Sequence, residues 1–467
     1  MSEAVRTFLR TNQERFLDEL ITFLQFPSIS TDPSRKQDVQ LCASWLRDHL
    51  QMLGLQNVQL FPTEGHPVVY GEWLEAGAQA PTVLVYGHYD VQPVDPVDLW
   101  DSPPFRPTIR DGAIYARGAM DDKGQVWLQL KALEAWLRVE GRLPVNVKVL
   151  IEGEEEIGSV HLGDFVKQHR QMLDADVVLI SDTAMLGPEK PAVCYGLRGL
   201  AYVELHVRGP RRDLHSGSFG GAVDNPANVL SWMIAQLKDR YGRITIPGFY
   251  DDVRPLSELE QQALAQVPFD PAAFAHSIGV PMLYGEAGYS PVEWLWTRPT
   301  LDVNGLWSGF QGKGAKTIIP AAAGAKISMR LVPDQSPADI AQKTIRYLQH
   351  LAPPTVEIDV LDLYGGDPVL VDPESPPIQV ALKALETVYQ TTAYLIREGG
   401  SIPIVSLFQK QLEATPVLMG FALPTENAHS PNEHFHLDNF YRGMETVAVF
   451  YELLAATMAQ QSTQKHH

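Results

Sequence analysis

Residues 83–90 read Val-Leu-Val-Tyr-Gly-His-Tyr-Asp, an apolar run of strand length that stops at a glycine and delivers His88 and Asp90 just past its end. The pattern recurs where Val145–Ile151 runs into Glu152, Glu154, Glu155 and Glu156, and where Val177–Ile180 runs into Ser181 and Asp182. Each run has the length and continuous apolarity of a buried strand. Each ends in side chains that ligate cations. Ligands of open α/β sheets bind outside the carboxyl ends of the strands, so the chemistry that this spacing suggests is done on cations held at one sheet edge.

The individual motifs differ in how much they carry. Two residues apart on extended backbone, His88 and Asp90 point to the same side. Asp90 can then sit behind a metal-bound imidazole and tune it, although a core histidine beside a turn aspartate gives the same spacing. In Arg117-Gly118-Ala119-Met120-Asp121-Asp122-Lys123-Gly124, Asp121 precedes a helical run. A carboxylate there is favoured simply as a cap, and two adjacent acids are equally compatible with one of them bridging a pair of cations. The run Glu152-Gly153-Glu154-Glu155-Glu156 follows an apolar strand, so its charges converge, and their repulsion raises their pKa values unless cations compensate. Finally, Glu426-Asn427-Ala428-His429-Ser430-Pro431-Asn432-Glu433 supplies a loop imidazole, with His434 and His436 close behind it.

The elements that must position these residues can be read coarsely. From Thr82 to about Tyr195, short β-branched runs alternate with helical stretches at 124–139 and 160–173, which predicts βαβ units and a mostly parallel sheet. After Gly196-Leu197-Arg198-Gly199 the character changes. Alternating strands are expected at 202–207, 325–331 and 355–361, with helices at 226–241 and 337–351. The stretch 247–300 is rich in Pro, Gly and aromatics, with a helix expected near 256–266. Helices at 378–389 and 439–458 and a strand near 415–421 then return to the α/β style. The expected fold is an α/β catalytic domain with a mixed, mostly parallel sheet, residues 1–196 and 377–467, interrupted by an inserted α+β unit, 197–376.

Composition narrows the class. The chain has 467 residues, 45% hydrophobic and 20% charged, enough for large cores. Its net charge of −19 repels phosphate backbones and anionic lipid, so neither nucleic acid nor membrane is an expected partner. Cys42 and Cys194 are the only cysteines, which excludes a disulfide framework and suits a reducing cytoplasm. The N-terminus is an amphipathic helical pattern broken by charges, unlike a signal peptide. The terminal Lys465-His466-His467 resembles a tag remnant.

Taken together, the motifs from Gly87-His88-Tyr89-Asp90 to His429-Ser430-Pro431-Asn432-Glu433 resemble, in order and over nearly the whole chain, the dinuclear-metal amidohydrolases. These include carnosine dipeptidases, cytosolic nonspecific dipeptidases, aminoacylases, glutamate carboxypeptidases and succinyl-diaminopimelate desuccinylase. The resemblance implies two divalent metal ions per subunit, zinc first, with manganese or cobalt also suited to so oxygen-rich a set. It implies that His88 and Asp182 hold one metal, that Glu156 and His429 hold the other, and that Asp121 bridges them. Asp90 would orient His88, and Glu155, from the Glu-Glu-x-Gly register at 155–158, would be the general base. Glu154 makes a one-residue slip in that register the main alternative.

Segments of the inserted unit resemble the dipeptidase branch. His215 would stabilise the oxyanion from the other subunit of a homodimer formed through a lid domain, while Thr317, Arg330 and Ser401 would contact the substrate carboxylate. The implied activity is hydrolysis of dipeptides or short peptides with a free C-terminus. An N-acyl-amino-acid hydrolase or desuccinylase is the alternative of the same chemistry, and a catalytically silent binding or scaffold relative is the alternative of another class.

Overall fold

The computed structural model describes residues 1–400 and 402–464; Ser401 and the Lys465-His466-His467 tail lie outside the described residues. The chain divides into two compact units, one of Met1–Tyr195, Val371–Ile396 and Ile404–His467, the other of Gly196–Leu370 and Arg397–Pro403. The short return at 397–403 lies beyond the 377 at which the chain was expected to have re-entered the first unit for good.

The large sheet has nine strands among the described residues and is mixed. Its centre is parallel, with Asn146–Glu152, Thr82–His88, Val177–Ile180 and Thr415–Leu418 side by side. Antiparallel strands Val68–Trp73 and Gln56–Phe61 extend one edge, and Ala192–Leu197 pairs antiparallel on the other side. Central parallel strands are covered on both faces, so they are continuously apolar rather than alternating. All seven residues of Asn146–Glu152 are buried, as are those of Thr82–His88 after Thr82. The register sets His88 opposite Glu152 and Tyr86 opposite Ile180. Two of these strands end level and Val177–Ile180 ends two residues short of them, which brings the chain after each of them to the same edge.

The helix Lys123–Glu140 closes on that edge. It is buried from Lys123 to Trp136 and ends at the left-handed Gly141, the usual way for a helix to satisfy its last carbonyls. It packs between the Thr82–His88 strand and the final helix, Leu437–Gln464. Gly87 permits the approach. A Cβ there would lie 2.4 Å from Val126 Cγ2 and 2.6 Å from Asp122 Oδ2, so any larger residue pushes the helix start away from the strand end.

The middle of this helix carries a buried charge cluster. Lys131 Nζ lies 2.6 Å from Glu19 Oε2, 2.8 Å from Glu134 Oε2 and 2.9 Å from His49 Nε2, and 4.2 Å from the Trp127 ring centroid. Burial and the neighbouring ammonium push His49 down to about 2, so it accepts from Lys131 as a neutral imidazole. Glu19, His49 and Glu134 have the composition of a metal site, but the cation at their centre is the lysine itself. Removing one partner of a buried ion cluster strands the others. Lys131→Met is therefore expected to cost roughly 3–5 kcal/mol in denaturant unfolding; a loss under about 1 kcal/mol would show that the cluster is not a net stabiliser.

The second unit is a four-stranded antiparallel sheet in the order Thr300–Ser308, Ala322–Leu331, Gly199–Arg208, Glu357–Gly366. Gly199–Arg208 alternates buried and half-buried residues, the pattern of a sheet covered on one face. Val203, Leu205, Val207, Ile327 and Met329 form the core with residues of the helices Pro226–Ala235 and Pro337–Leu351. The first of these helices stops short of the expected 241. Asp239 Oδ1 accepts from the amides of Tyr241 and Arg243, and Gly242 is left-handed, so an aspartate turn outcompetes the helix. The N-terminal amphipathic pattern likewise splits into Glu3–Thr11 and Gln13–Leu24 at Asn12, whose side chain bonds back to the Phe8 carbonyl.

Candidate metal centre

Residues that follow these strand ends join Asp121 and His429 in two adjoining groups in the first unit. His88, Glu155 and Asp182 form one, Asp121, Glu156 and His429 the other, with one candidate ligand atom from each residue of a group within 4.8 Å of the rest. Asp121 belongs to both in effect, since its Oδ1 lies 3.2 Å from His88 Nε2 and its Oδ2 2.9 Å from His429 Nε2. His88 Nε2 is 3.8 Å from Asp182 Oδ2, and His429 Nε2 is 3.3 Å from Glu156 Oε2. Glu154, the register alternative, turns away from both groups. Its carboxylate bonds His161 Nδ1 at 2.8 Å and accepts from the His66 amide at 3.3 Å.

Asp90 is fully buried, and its carboxylate reaches two elements. Oδ1 is 3.3 Å from His88 Nδ1, while Oδ1 and Oδ2 accept from the amides of Glu155 and Glu156 at 3.2 and 3.1 Å. One side chain therefore sets both the imidazole and the 3₁₀ turn Glu155–Ile157. Sequence reasoning anticipated only the first of these contacts.

The electrostatics show a deficit of positive charge. Among the described residues no lysine or arginine pairs with Asp121, Glu155 or Glu156. Burial pushes Glu155 up to about 9, with Asp182, Glu156 and Asp121 adding to the rise and His88 opposing it. His429 is raised to about 10 by hydrogen bonds to Asp121 and Glu156, against its own partial burial. In His88, burial opposes protonation, yet the hydrogen bonds to Asp121 and Asp90 push its pKa well up. Asp121 is held below the usual carboxylate range because the His429 and His88 contacts outweigh the cost of burying it. Where the other cluster has a lysine, the groups facing these acids are the imidazoles of His88 and His429. Two imidazoles with four carboxylates fit divalent cations, whose binding would compete with protons for the same ligand atoms.

Several residues at this centre carried no sequence signal of their own. Gln92 Nε2 donates to Glu156 Oε2 at 2.7 Å. Asp122, joined to Asp121 by a cis peptide bond, is buried and accepts from the His88 amide at 3.2 Å. Its position next to Asp121 in the sequence was the one available hint. In the second unit, His215 and Thr317 are neighbours, because Leu214–His215 pairs with Ile318–Ile319 and the Ser216 amide donates to the Thr317 carbonyl. Both are exposed, whereas Arg330 is half-buried on the Ala322–Leu331 strand. Ser401 lies outside the described residues.

Comparison with known proteins gives a consistent result. Residues 84–453 match the family model described as peptidase family M20/M25/M40. A Cys-Gly metallodipeptidase, DUG1, of Candida albicans is 34% identical over 453 residues, 93% of each chain. The crystal structure of an M20 family metallo-carboxypeptidase, Sso-CP2, from Sulfolobus solfataricus matches with a TM-score of 0.83 and 37% identity over 94% of this chain and 99% of that one. That of human carnosine dipeptidase 1 matches with a TM-score of 0.81 and 31% identity over 97% and 98%. With its matched stretch spanning the strand-end clusters and the His429 loop, the chain belongs to peptidase family M20/M25/M40.

Proposed function

We propose that the protein is a dinuclear metallo-dipeptidase that hydrolyses the amide bond of dipeptides or short peptides with a free C-terminal carboxylate. The observation that carries this reading is Asp121, which turns one oxygen to each of two ligand groups while Glu155 stands beside them. The dipeptidase names of the Candida albicans and human relatives support the substrate class.

His88 and Asp182 would hold one cation and Glu156 and His429 the other, with Asp121 offering one oxygen to each. The chemistry that such cations supply when bound is polarisation of a carbonyl and a lowered pKa for water. The protein's own part is proton handling and alignment. Glu155 takes a proton from the attacking water and returns it to the leaving amine. Asp90 keeps His88 and the Glu155–Glu156 turn in register. Zinc suits two imidazoles with carboxylates, and manganese or cobalt also accept this set. The substrate carboxylate is assigned to Thr317, Arg330 and Ser401 by the resemblance of their segments alone, Arg330 offering a planar fork suited to it. His215 completes the oxyanion site of a partner subunit in a homodimer formed through the inserted unit. Exposed Leu361, Leu363 and Tyr364 on the Glu357–Gly366 edge strand support such an interface. No helix among the described residues is long and apolar enough to cross a membrane; Cys42 and Cys194, both buried thiols, support a reducing, cytoplasmic location.

The Sulfolobus solfataricus likeness favours one second reading, trimming of longer peptides from their C-terminus. Initial rates on dipeptides, on peptides of four to eight residues and on N-acylated amino acids separate the possibilities. The dipeptidase reading expects kcat/KM to be highest on dipeptides. Preference for the longer peptides or for the acylated amino acids would reject it.

A further inference from the structure

Glu433 ends the loop that carries His429, and its side chain is wholly buried. The loop is tightly wound. Asn427, His429 and Asn432 all have left-handed backbones, with φ of 60°, 57° and 60°, a conformation that costs a histidine about 1–2 kcal/mol and persists only where the surroundings enforce it. The enforcement comes from both ends. At the start, buried Glu426 accepts from the Leu423 amide at 2.6 Å and from the amide and Nδ1 of His436 at 2.8 and 2.6 Å. At the far end, Asn432 is fastened to Asp101 and Leu99 through its side-chain amide.

The Glu433 carboxylate reaches the segment that carries Asp121. Oε2 accepts from Arg117 Nη1 at 2.7 Å and from the Gly118 amide at 3.0 Å, and Oε1 accepts from the amides of Met120 and Asp121 at 3.0 and 3.2 Å. Its backbone carbonyl accepts from Ala116. Four donors of the 117–121 segment thus converge on one side chain more than three hundred positions away in sequence. Arg117, 1% exposed, supplies the charge that lets the carboxylate be buried.

We infer that Glu433 is a positioning residue that locks the His429 loop to the Asp121 segment, so that Asp121 meets His429 at the distance the second cation requires. Glu433 is itself no ligand, because both its oxygens are committed to backbone and guanidinium donors. Its effect falls on the Asp121–Glu156–His429 group, since Asp121 and His429 lie on the two segments it joins.

This inference rests on the dimetal reading, and one experiment separates the two. Full-length parent, Glu433→Gln and Glu433→Asp, each stripped with a chelator, are titrated with Co²⁺ while visible absorption is followed and the fold is checked by circular dichroism. Glu433→Gln turns an amide toward backbone donors and leaves Arg117 uncompensated, so it risks misfolding. Glu433→Asp keeps the charge for Arg117 but withdraws from the Met120 and Asp121 amides, and serves as the folded variant. The parent is expected to take up two equivalents. The Asp variant should bind the first normally and the second about 10–100-fold more weakly, the usual loss when an outer partner of a ligand is removed. Two uptake steps at parental affinity in a folded Asp variant would overturn the inference, even if that variant were less stable. A parent that failed to take up two equivalents would instead overturn the dimetal reading.

Discussion

Glu155→Gln is expected to lower kcat by about 10²–10⁴-fold, the usual contribution of a general base, while leaving metal content close to the parent's. Glutamine keeps the volume of the side chain and its place in the 3₁₀ turn, whose amides are held by Asp90. What it loses is the ability to take a proton from water and hand it to the departing amine. The environment suits that task. Burial and the surrounding acids push Glu155 up to about 9 without cations, and cations beside it would bring that value down toward neutrality, where a base serves best. Measuring kcat and metal content on the same preparation checks this. Undiminished turnover would remove Glu155 from the mechanism, whereas loss of both metals would reassign it as a ligand.

The second large effect concerns Asp121. With one oxygen toward His88 and the other toward His429, it is the side chain whose loss touches both groups. Asn keeps the size but offers one carbonyl oxygen and an amide that only donates. Asp121→Asn is expected to lose at least one equivalent of metal and, with it, the stability that metal contributes. A ligand that binds only the folded state at one hundred times its Kd stabilises by about 2.7 kcal/mol. The parent should therefore gain thermal stability on addition of Zn²⁺, and the variant should gain markedly less. An equal gain in both would mean that Asp121 does not bridge.

Much of this centre was legible because a strand end is a local signal. His88, Asp90, Glu155, Glu156 and Asp182 each lie within five residues of the end of an apolar run, and parallel register then brings those ends to one edge. The register between Glu154 and Glu155 was not decidable from spacing, because the outcome depends on His161 and His66 drawing Glu154 aside. Gln92, Asp122 and Glu433 went unassigned for a related reason: their partners are set by chain crossings and have no periodic trace in sequence. Turn chemistry also went unread where it overrode propensity, as at Asp239 and Asn12. The mixed sheet, the inserted α+β unit and most helices followed from periodicity, with ends that moved by a few residues, as for the final helix at Leu437–Gln464, whereas the edge strand Thr300–Ser308 was not anticipated.

The charge deficit explains why the same residue types serve two different ends in one domain. Around Lys131, two carboxylates and an imidazole enclose an ammonium that the chain provides. Around Asp121, a larger set of acids faces the imidazoles of His88 and His429, and among the described residues no lysine or arginine pairs with Asp121, Glu155 or Glu156. The first cluster is complete as folded, and on the proposed dimetal reading the second is completed by cations from solution.

The most direct test of that claim is elemental analysis of active, full-length protein together with its turnover before and after chelation. Two transition-metal ions per chain, with activity lost on chelation and restored on adding metal back, is the predicted result. Active protein that carries no transition metal and is indifferent to chelators would contradict it.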